Sequence, residues 1–250
     1  MKKIWILFFL TYLFISCEKR SQQVIKITAK TTAINPEIQQ DSIYIKKFLP
    51  YKNKMIEEIS TILSYAPKNM ERTDGKLQST LGNLIADLSY EKANELFQKE
   101  TGKTVDFSMS NYGSIRSGIY KGNVTVSNAF ELMPFENTLV VVELTSEKVK
   151  ELFEYFVAEN KANPLSKHVK FIIDDGNYTI KINGKPLNNN RTYFVATSNY
   201  LQKGGDEMNF FVNPESLYES NFLIRNAIEE YFKSKDTLVA NLDQRVIIKD

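Results

Sequence analysis

The chain has 250 residues, 42% of them hydrophobic and 25% charged, with only 10 glycines and 7 prolines. That composition excludes a low-complexity or disordered chain and supplies a core for one large domain or two small ones. Lys plus Arg number 32 against 30 Asp plus Glu, and the counts become equal once Lys2 and Lys3 are set aside with a leader. No global field then attracts nucleic acid or an anionic surface, so no nucleic-acid partner is expected and any anion must be held locally. A single cysteine excludes an intrachain disulfide and a Cys-based metal cluster. A single histidine, His168, argues against two-metal hydrolase and zinc centres.

The first element in chain order is an address. Two lysines precede an apolar run from Ile4, which ends at Ser16-Cys17. At about a dozen residues the run is too short to span a bilayer and reads as a signal-peptide core. Leu13-Phe-Ile-Ser-Cys17 resembles a bacterial lipobox, with Phe14 where Leu is usual. That resemblance implies a leader over 1–16 and lipidation of Cys17, holding the protein to the bacterial cell envelope, on the periplasmic side or at the surface. A cleaved unlipidated leader and a retained anchor are the alternatives. Residues 17–47 read as a polar tether whose apolar stretch, Val24-Ile-Lys-Ile-Thr28, could pair as a strand onto a domain edge.

From residue 48 to 250 the patterns are continuous. Met55, Ile56, Ile59, Ile62 and Leu63 predict a helix over 52–63. The stripe Leu81, Leu84, Ile85, Leu88, Ala93, Leu96 and Phe97 predicts a long helix over 79–102, with Ser79 as N-cap and Gly102 as stop. A strand is expected over 105–109, followed by a loop at Asn111. The β-branched run from Leu139 to Leu144 marks a strand buried on both faces. Thr145 or Ser146 then caps a helix carrying Val149, Leu152, Phe153 and Phe156. A hairpin over 169–182, a tight turn at Asn183-Gly184, a strand over 191–198, a helix over 222–232 and a closing strand at Val246 complete the series. Helices interleaved with hairpins predict an α+β fold, a mixed β-sheet with flanking helices.

Three loops carry the chemistry. In Asn111-Tyr-Gly113-Ser-Ile-Arg116 a glycine allows close backbone approach and a guanidinium offers a planar fork to phosphate. Pro134-Phe135-Glu-Asn137 pairs an aromatic ring with an amide able to read polar edges. Asn199-Tyr200-Leu-Gln-Lys-Gly-Gly-Asp206 adds a second ring and a carboxylate suited to vicinal hydroxyls. Singly, these read as a turn with a surface Arg, a core Phe and a glycine turn. Together they are the parts a nucleotide needs: two aromatic faces, an amide, a carboxylate and a cation. His168, at the start of a hairpin strand, reads as a structural or surface residue, and no Gly-x-Ser-x-Gly elbow accompanies it.

The order of these loops, with Tyr51-Lys-Asn-Lys-Met55 and Leu81-Gly-Asn83-Leu-Ile-Ala-Asp87, resembles the C-terminal domain of the 5'-nucleotidase / UDP-sugar hydrolase family, from about residue 51 to the C-terminus. The resemblance implies a substrate-binding domain in which Phe135 and Tyr200 clamp the base, Tyr200 standing where Phe is usual. It further implies that Asn137 touches the base, Asp206 the ribose, and Asn111, Gly113 and Arg116 the sugar-phosphate side. The sequence departs from the family pattern at three places. The loop at Asn111 has lost two glycines, and Glu207 replaces a glycine. A family Arg falls near Gly75, where Arg72 or Lys76 is the nearest cation. The family's metallophosphatase motifs are absent from this sequence. The expected function is therefore nucleotide recognition for a 5'-nucleotidase-type hydrolase in nucleotide catabolism. No catalytic residue and no cofactor are expected in this chain, and divalent metals are expected only in a separate metallophosphatase partner. The alternative is an envelope nucleotide-binding or interaction lipoprotein with no hydrolytic role.

Overall fold

The computed structural model describes residues 24–249; the leader and Cys17 lie outside them. The chain divides into two units, one up to Phe48 and one from Leu49 onward. In the first unit, residues 24–35 are exposed and irregular. The strand expected at 24–28 does not form, because five alternating residues gain nothing without a ladder to join.

The helix expected over 52–63 is displaced. Helix α1 covers Ser42–Ile59, and its start is set by Asp41, whose carboxylate accepts from the backbone N–H groups of Ile43 (2.9 Å) and Tyr44 (3.3 Å). At its end both the N–H and the hydroxyl of Ser60 donate to the Ile56 carbonyl, and the next N–H, that of Thr61, turns to the Glu58 carbonyl three residues back, which tightens the last turn and ends the helix. Ile62 and Leu63 therefore belong to a strand, β1, Ile62–Ala66. No residue of α1 is buried, so the stripe read at 55–59 is not a core stripe.

In the second unit, helix α2, Thr80–Thr101, is capped as expected. Ser79 Oγ accepts from the N–H of Gly82 at 3.0 Å, and Gly102 adopts φ 72° while its N–H donates to the Gln98 carbonyl. The described residues form three sheets. β1 pairs with β3, Gly122–Thr125, in a two-stranded ribbon. The central sheet has the order β2-β8-β4-β9, built from Phe107–Ser108, Tyr193–Ser198, Thr138–Leu144 and Ser216–Leu223. It is mixed: β2 runs parallel to β8, while β8–β4 and β4–β9 are antiparallel. The third sheet joins Val246–Lys249 (β10) in parallel to the hairpin Val169–Asp174 (β5) and Asn177–Ile182 (β6), with Lys185–Pro186 (β7) at its far edge. The hairpin turns at Asp175-Gly176 and Asn183-Gly184 both place two successive residues at positive φ, as right-twisted two-residue turns require.

Within the central sheet β4 is buried on both faces, as the run at 139–144 implies. Leu139 and Val141 pack with α2 and with Ile224, Ala227, Ile228 and Phe232 of the helix Ile224–Lys233. Val140, Val142 and Leu144 point the other way, toward Val149, Leu152, Phe153 and Phe156 of the helix Ser146–Glu159 and toward Phe171 of β5. Each fully buried branched side chain contributes about 1.5–3 kcal/mol.

The 81–87 motif fastens this core. Asp87 accepts from both terminal nitrogens of Arg245 (3.1 and 3.0 Å), and its Oδ1 also takes the N–H of Lys167. Arg245, 5% exposed, also donates to Asp243 and to the carbonyl of Leu165. The ring of His168 lies flat on Tyr90 (centroids 3.6 Å apart), and burial there lowers the imidazole pKa.

Candidate functional site

Strand direction brings the three loops to one end of the central sheet. β2 and β8 are parallel, so both of their C-terminal ends, leading to Asn111 and to Asn199, emerge at the same edge. β4 is antiparallel to β8 with Leu139 opposite Ser198, which brings its N-terminal end, and the Pro134–Asn137 segment before it, to that edge too. Direct bonds fix the loops to one another. The Arg116 N–H donates to the Leu132 carbonyl, and the Thr138 N–H donates to the Asn199 side chain at 3.1 Å.

Between the loops lies a cavity of about 210 Å³, lined by Asn111, Gly113, Ser114, Arg116, Phe135, Asn137, Tyr200 and Asp206. All seven residues singled out in the sequence line this one cavity, joined by Ser114. Asp206 is its polar centre. Its Oδ1 accepts from the Tyr200 hydroxyl at 2.8 Å and its Oδ2 from Asn111 Nδ2 at 2.6 Å. That bond from the phenol is the largest cause of a raised Tyr200 pKa. The Arg116 guanidinium carbon lies 5.0 Å from the Phe135 ring centroid, over its face, as a cation–π pair.

Glycine positions make these contacts possible. A Cβ on Gly113 would lie 3.3 Å from Asn111 Nδ2 and 3.6 Å from Asp206 Oδ2. A Cβ on Gly205 would lie 2.5 Å from Tyr200 Cζ, so the tyrosine ring can rest there only on a glycine. Asp206 (φ 51°) and Glu207 (φ 61°) themselves occupy the left-handed region, which residues with a side chain adopt at a cost.

Two residues brace the site: Tyr155, which was not identified from the sequence, and Arg72, named there only as a stand-in for a family Arg. Tyr155 donates its hydroxyl to the Asp206 carbonyl at 2.8 Å, and burial first, then nearby carboxylates, push its pKa up to about 12. Arg72 donates to the Ile115 carbonyl at 2.7 Å and lies 4.4 Å from the Tyr112 ring centroid, so it props the Asn111 loop from behind. Lys76, the other cation considered for the family Arg, lies with Arg72 on a separate open groove. Among the described residues no three His, Cys or carboxylate groups are placed together to hold a metal ion. What the site offers is two aromatic rings, an amide, a hydrogen-bonded carboxylate and one guanidinium.

Comparison with known proteins agrees with this architecture. The family described as 5'-nucleotidase, C-terminal domain matches residues 56–213, more than half of the chain. Protein UshA of Escherichia coli (strain K12) is 25% identical over 213 residues, covering 81% of this chain and 36% of UshA. The trifunctional nucleotide phosphoesterase protein YfkN of Bacillus subtilis (strain 168) is 28% identical over 218 residues, 79% of this chain and 14% of YfkN. The chain thus spans about a third or less of the length of these two relatives. Among solved structures, the 5'-nucleotidase precursor from Thermus thermophilus superposes with a TM-score of 0.68 at 23% identity, over 83% of this chain and 43% of that one. The chain belongs to the 5'-nucleotidase family, of which it carries the C-terminal domain.

Proposed function

We propose that this protein recognises nucleotides, holding the base between Phe135 and Tyr200, with Asn137 at its edge, Asp206 toward the sugar hydroxyls and Arg116 toward phosphate. The observation that carries this reading is the convergence of these five side chains, from three loops, on one cavity. Base–aromatic stacking contributes about 1–3 kcal/mol per face, so two faces supply a substantial share of micromolar binding. The cavity's 210 Å³ is below the roughly 300 Å³ at which ligand pockets begin. Arg116 lying over Phe135 accounts for part of the missing space, and a base reaches that ring face by displacing the guanidinium toward the phosphate side.

Hydrolysis, on this reading, belongs to a separate metallophosphatase chain that supplies the metals and the attacking water, with nucleotide catabolism as the outcome. Lipidation of Cys17 would place the domain at the bacterial cell envelope. The lack of a metal-binding group among the described residues equally favours a second reading, a nucleotide-binding envelope lipoprotein with no hydrolytic role. Calorimetry with adenosine, AMP and UDP-glucose, paired with phosphate-release assays in Mn, Co or Zn, tests both. Binding without turnover is expected of the pure chain. Turnover restored by a co-purifying metallophosphatase selects the first reading over the second. Folded protein that binds none of the three at millimolar concentration would refute nucleotide recognition.

A further inference from the structure

The carboxylate at the centre of the cavity is already satisfied from within. Asp206 Oδ1 holds the Tyr200 hydroxyl and Oδ2 holds the Asn111 amide, at 2.8 and 2.6 Å. This arrangement is built in. The missing Cβ of Gly205 makes room for the Tyr200 ring, and Tyr155 anchors the Asp206 backbone from the other side.

Sites that recognise a hydroxyl usually discriminate strongly, because a ligand lacking it leaves the protein's polar group unpaired. Asp206 escapes that penalty: when no sugar hydroxyl arrives, the tyrosine hydroxyl stays. When a vicinal diol does arrive, it must either displace the phenol or use the lone pairs that remain, since a carboxylate has about four acceptor positions. In both cases the gain from the diol is reduced by the bond already in place.

We propose that the Tyr200 hydroxyl is a specificity-determining group, an internal stand-in for a sugar hydroxyl, and that it makes the site accept ribose and deoxyribose ligands with little discrimination. The inference rests on the nucleotide reading above and extends it to the ligand class, nucleosides and nucleotides of both RNA and DNA type. Removing the hydroxyl while keeping the ring should create the discrimination that is missing.

The test uses the full chain purified in detergent, with adenosine and 2',3'-dideoxyadenosine as probes in calorimetric titrations. The wild type should bind the two with dissociation constants within about five-fold of each other, far below the 10⁴-fold typical of sites that leave a buried group unpaired. Tyr200→Phe keeps the stacked face and should widen the ratio by roughly three- to ten-fold in favour of adenosine, the modest size reflecting an exposed carboxylate. Gly205→Ala, which pushes the ring off its seat, should widen the ratio in the same direction while weakening both ligands. Spectrophotometric titration adds a ligand-free readout: the Tyr200 phenol, identified as the transition missing from Tyr200→Phe, should titrate lower in Asp206→Asn, where its bond to the carboxylate is lost. An unchanged ratio in Tyr200→Phe, or a wild type that already prefers adenosine by more than about 100-fold, overturns this inference and leaves nucleotide binding intact. If neither nucleoside binds the folded wild type, the nucleotide reading itself is overturned and this inference falls with it.

Discussion

Arg116 offers the sharpest test of how the cavity works, because the structure predicts effects of opposite sign for two related ligands. In the free site its guanidinium covers one face of Phe135 at 5.0 Å. An exposed cation–π pair is worth about 0.5–1 kcal/mol, which a base must overcome in order to stack there. Arg116→Ala removes that obstacle, so adenosine should bind equally or up to about five-fold more tightly. AMP loses a charge-assisted contact to phosphate worth about 1.5–3 kcal/mol and regains the same cation–π cost. Its net loss is then about 0.5–2.5 kcal/mol, or roughly 2–70-fold in affinity. Calorimetric titration of both ligands against wild type and variant measures the two effects in one experiment. Repeating it at higher ionic strength should shrink the AMP loss and leave adenosine unmoved, since only the phosphate contact is screened. Equal weakening of both ligands would refute the reasoning and place Arg116 among residues that merely hold the loop.

The remaining predictions concern stability and attachment. Arg245→Ala should destabilise the domain by about 3–5 kcal/mol, because it leaves the Asp87 and Asp243 carboxylates without their cation; urea denaturation measures this, and the folded fraction should keep its AMP affinity. His168 has a pKa lowered by burial, so it binds a proton more readily in the unfolded chain. Its share of stability is therefore present above the unfolded value, about 6.5, and is lost as the pH falls through the lower folded value; His168→Gln should remove that slope from a series of melting curves. Cys17→Ser should move the protein from the detergent phase to the aqueous phase with an unchanged circular dichroism spectrum, as expected when lipid is the anchor; unchanged partitioning would point to a retained leader.

How far this molecule could be read beforehand depended on where the free energy of each element resides. The strand at 139–144 was legible because both of its faces are buried from Leu139 to Val142 and again at Leu144, so those positions are apolar, while the half-buried Glu143 is held by the Thr192 and Ser216 hydroxyls. Helix α2 announced itself through a stripe and two caps. Ser216–Leu223 was missed because it is a polar edge strand, held by backbone pairing to β4 rather than by a buried face. The stripe at 55–59 misled for the converse reason: apolar spacing alone does not say that a partner covers it, and in α1 no residue is buried. At the candidate site, the seven side chains were legible as types in three loops, and the sheet's strand directions supply their convergence. The contacts that tune them were not. The seating of Tyr200 on Gly205, the Arg116–Phe135 pair and the Tyr155 anchor each depend on backbone geometry that residue types do not encode. Arg245 was invisible for a similar reason, since its partners Asp87 and Leu165 lie far from it along the chain.

The nucleotide recognition proposed for this domain turns on one contact, a base seated between Phe135 and Tyr200. Intermolecular nuclear Overhauser effects between AMP and the protein, with the two aromatic rings assigned by the Phe135→Leu and Tyr200→Leu variants, probe that contact atom by atom. Cross-peaks are expected from the adenine protons to both rings, each set lost in the corresponding variant. Adenine cross-peaks that survive both substitutions, or that arise from other side chains, would contradict a base seated there.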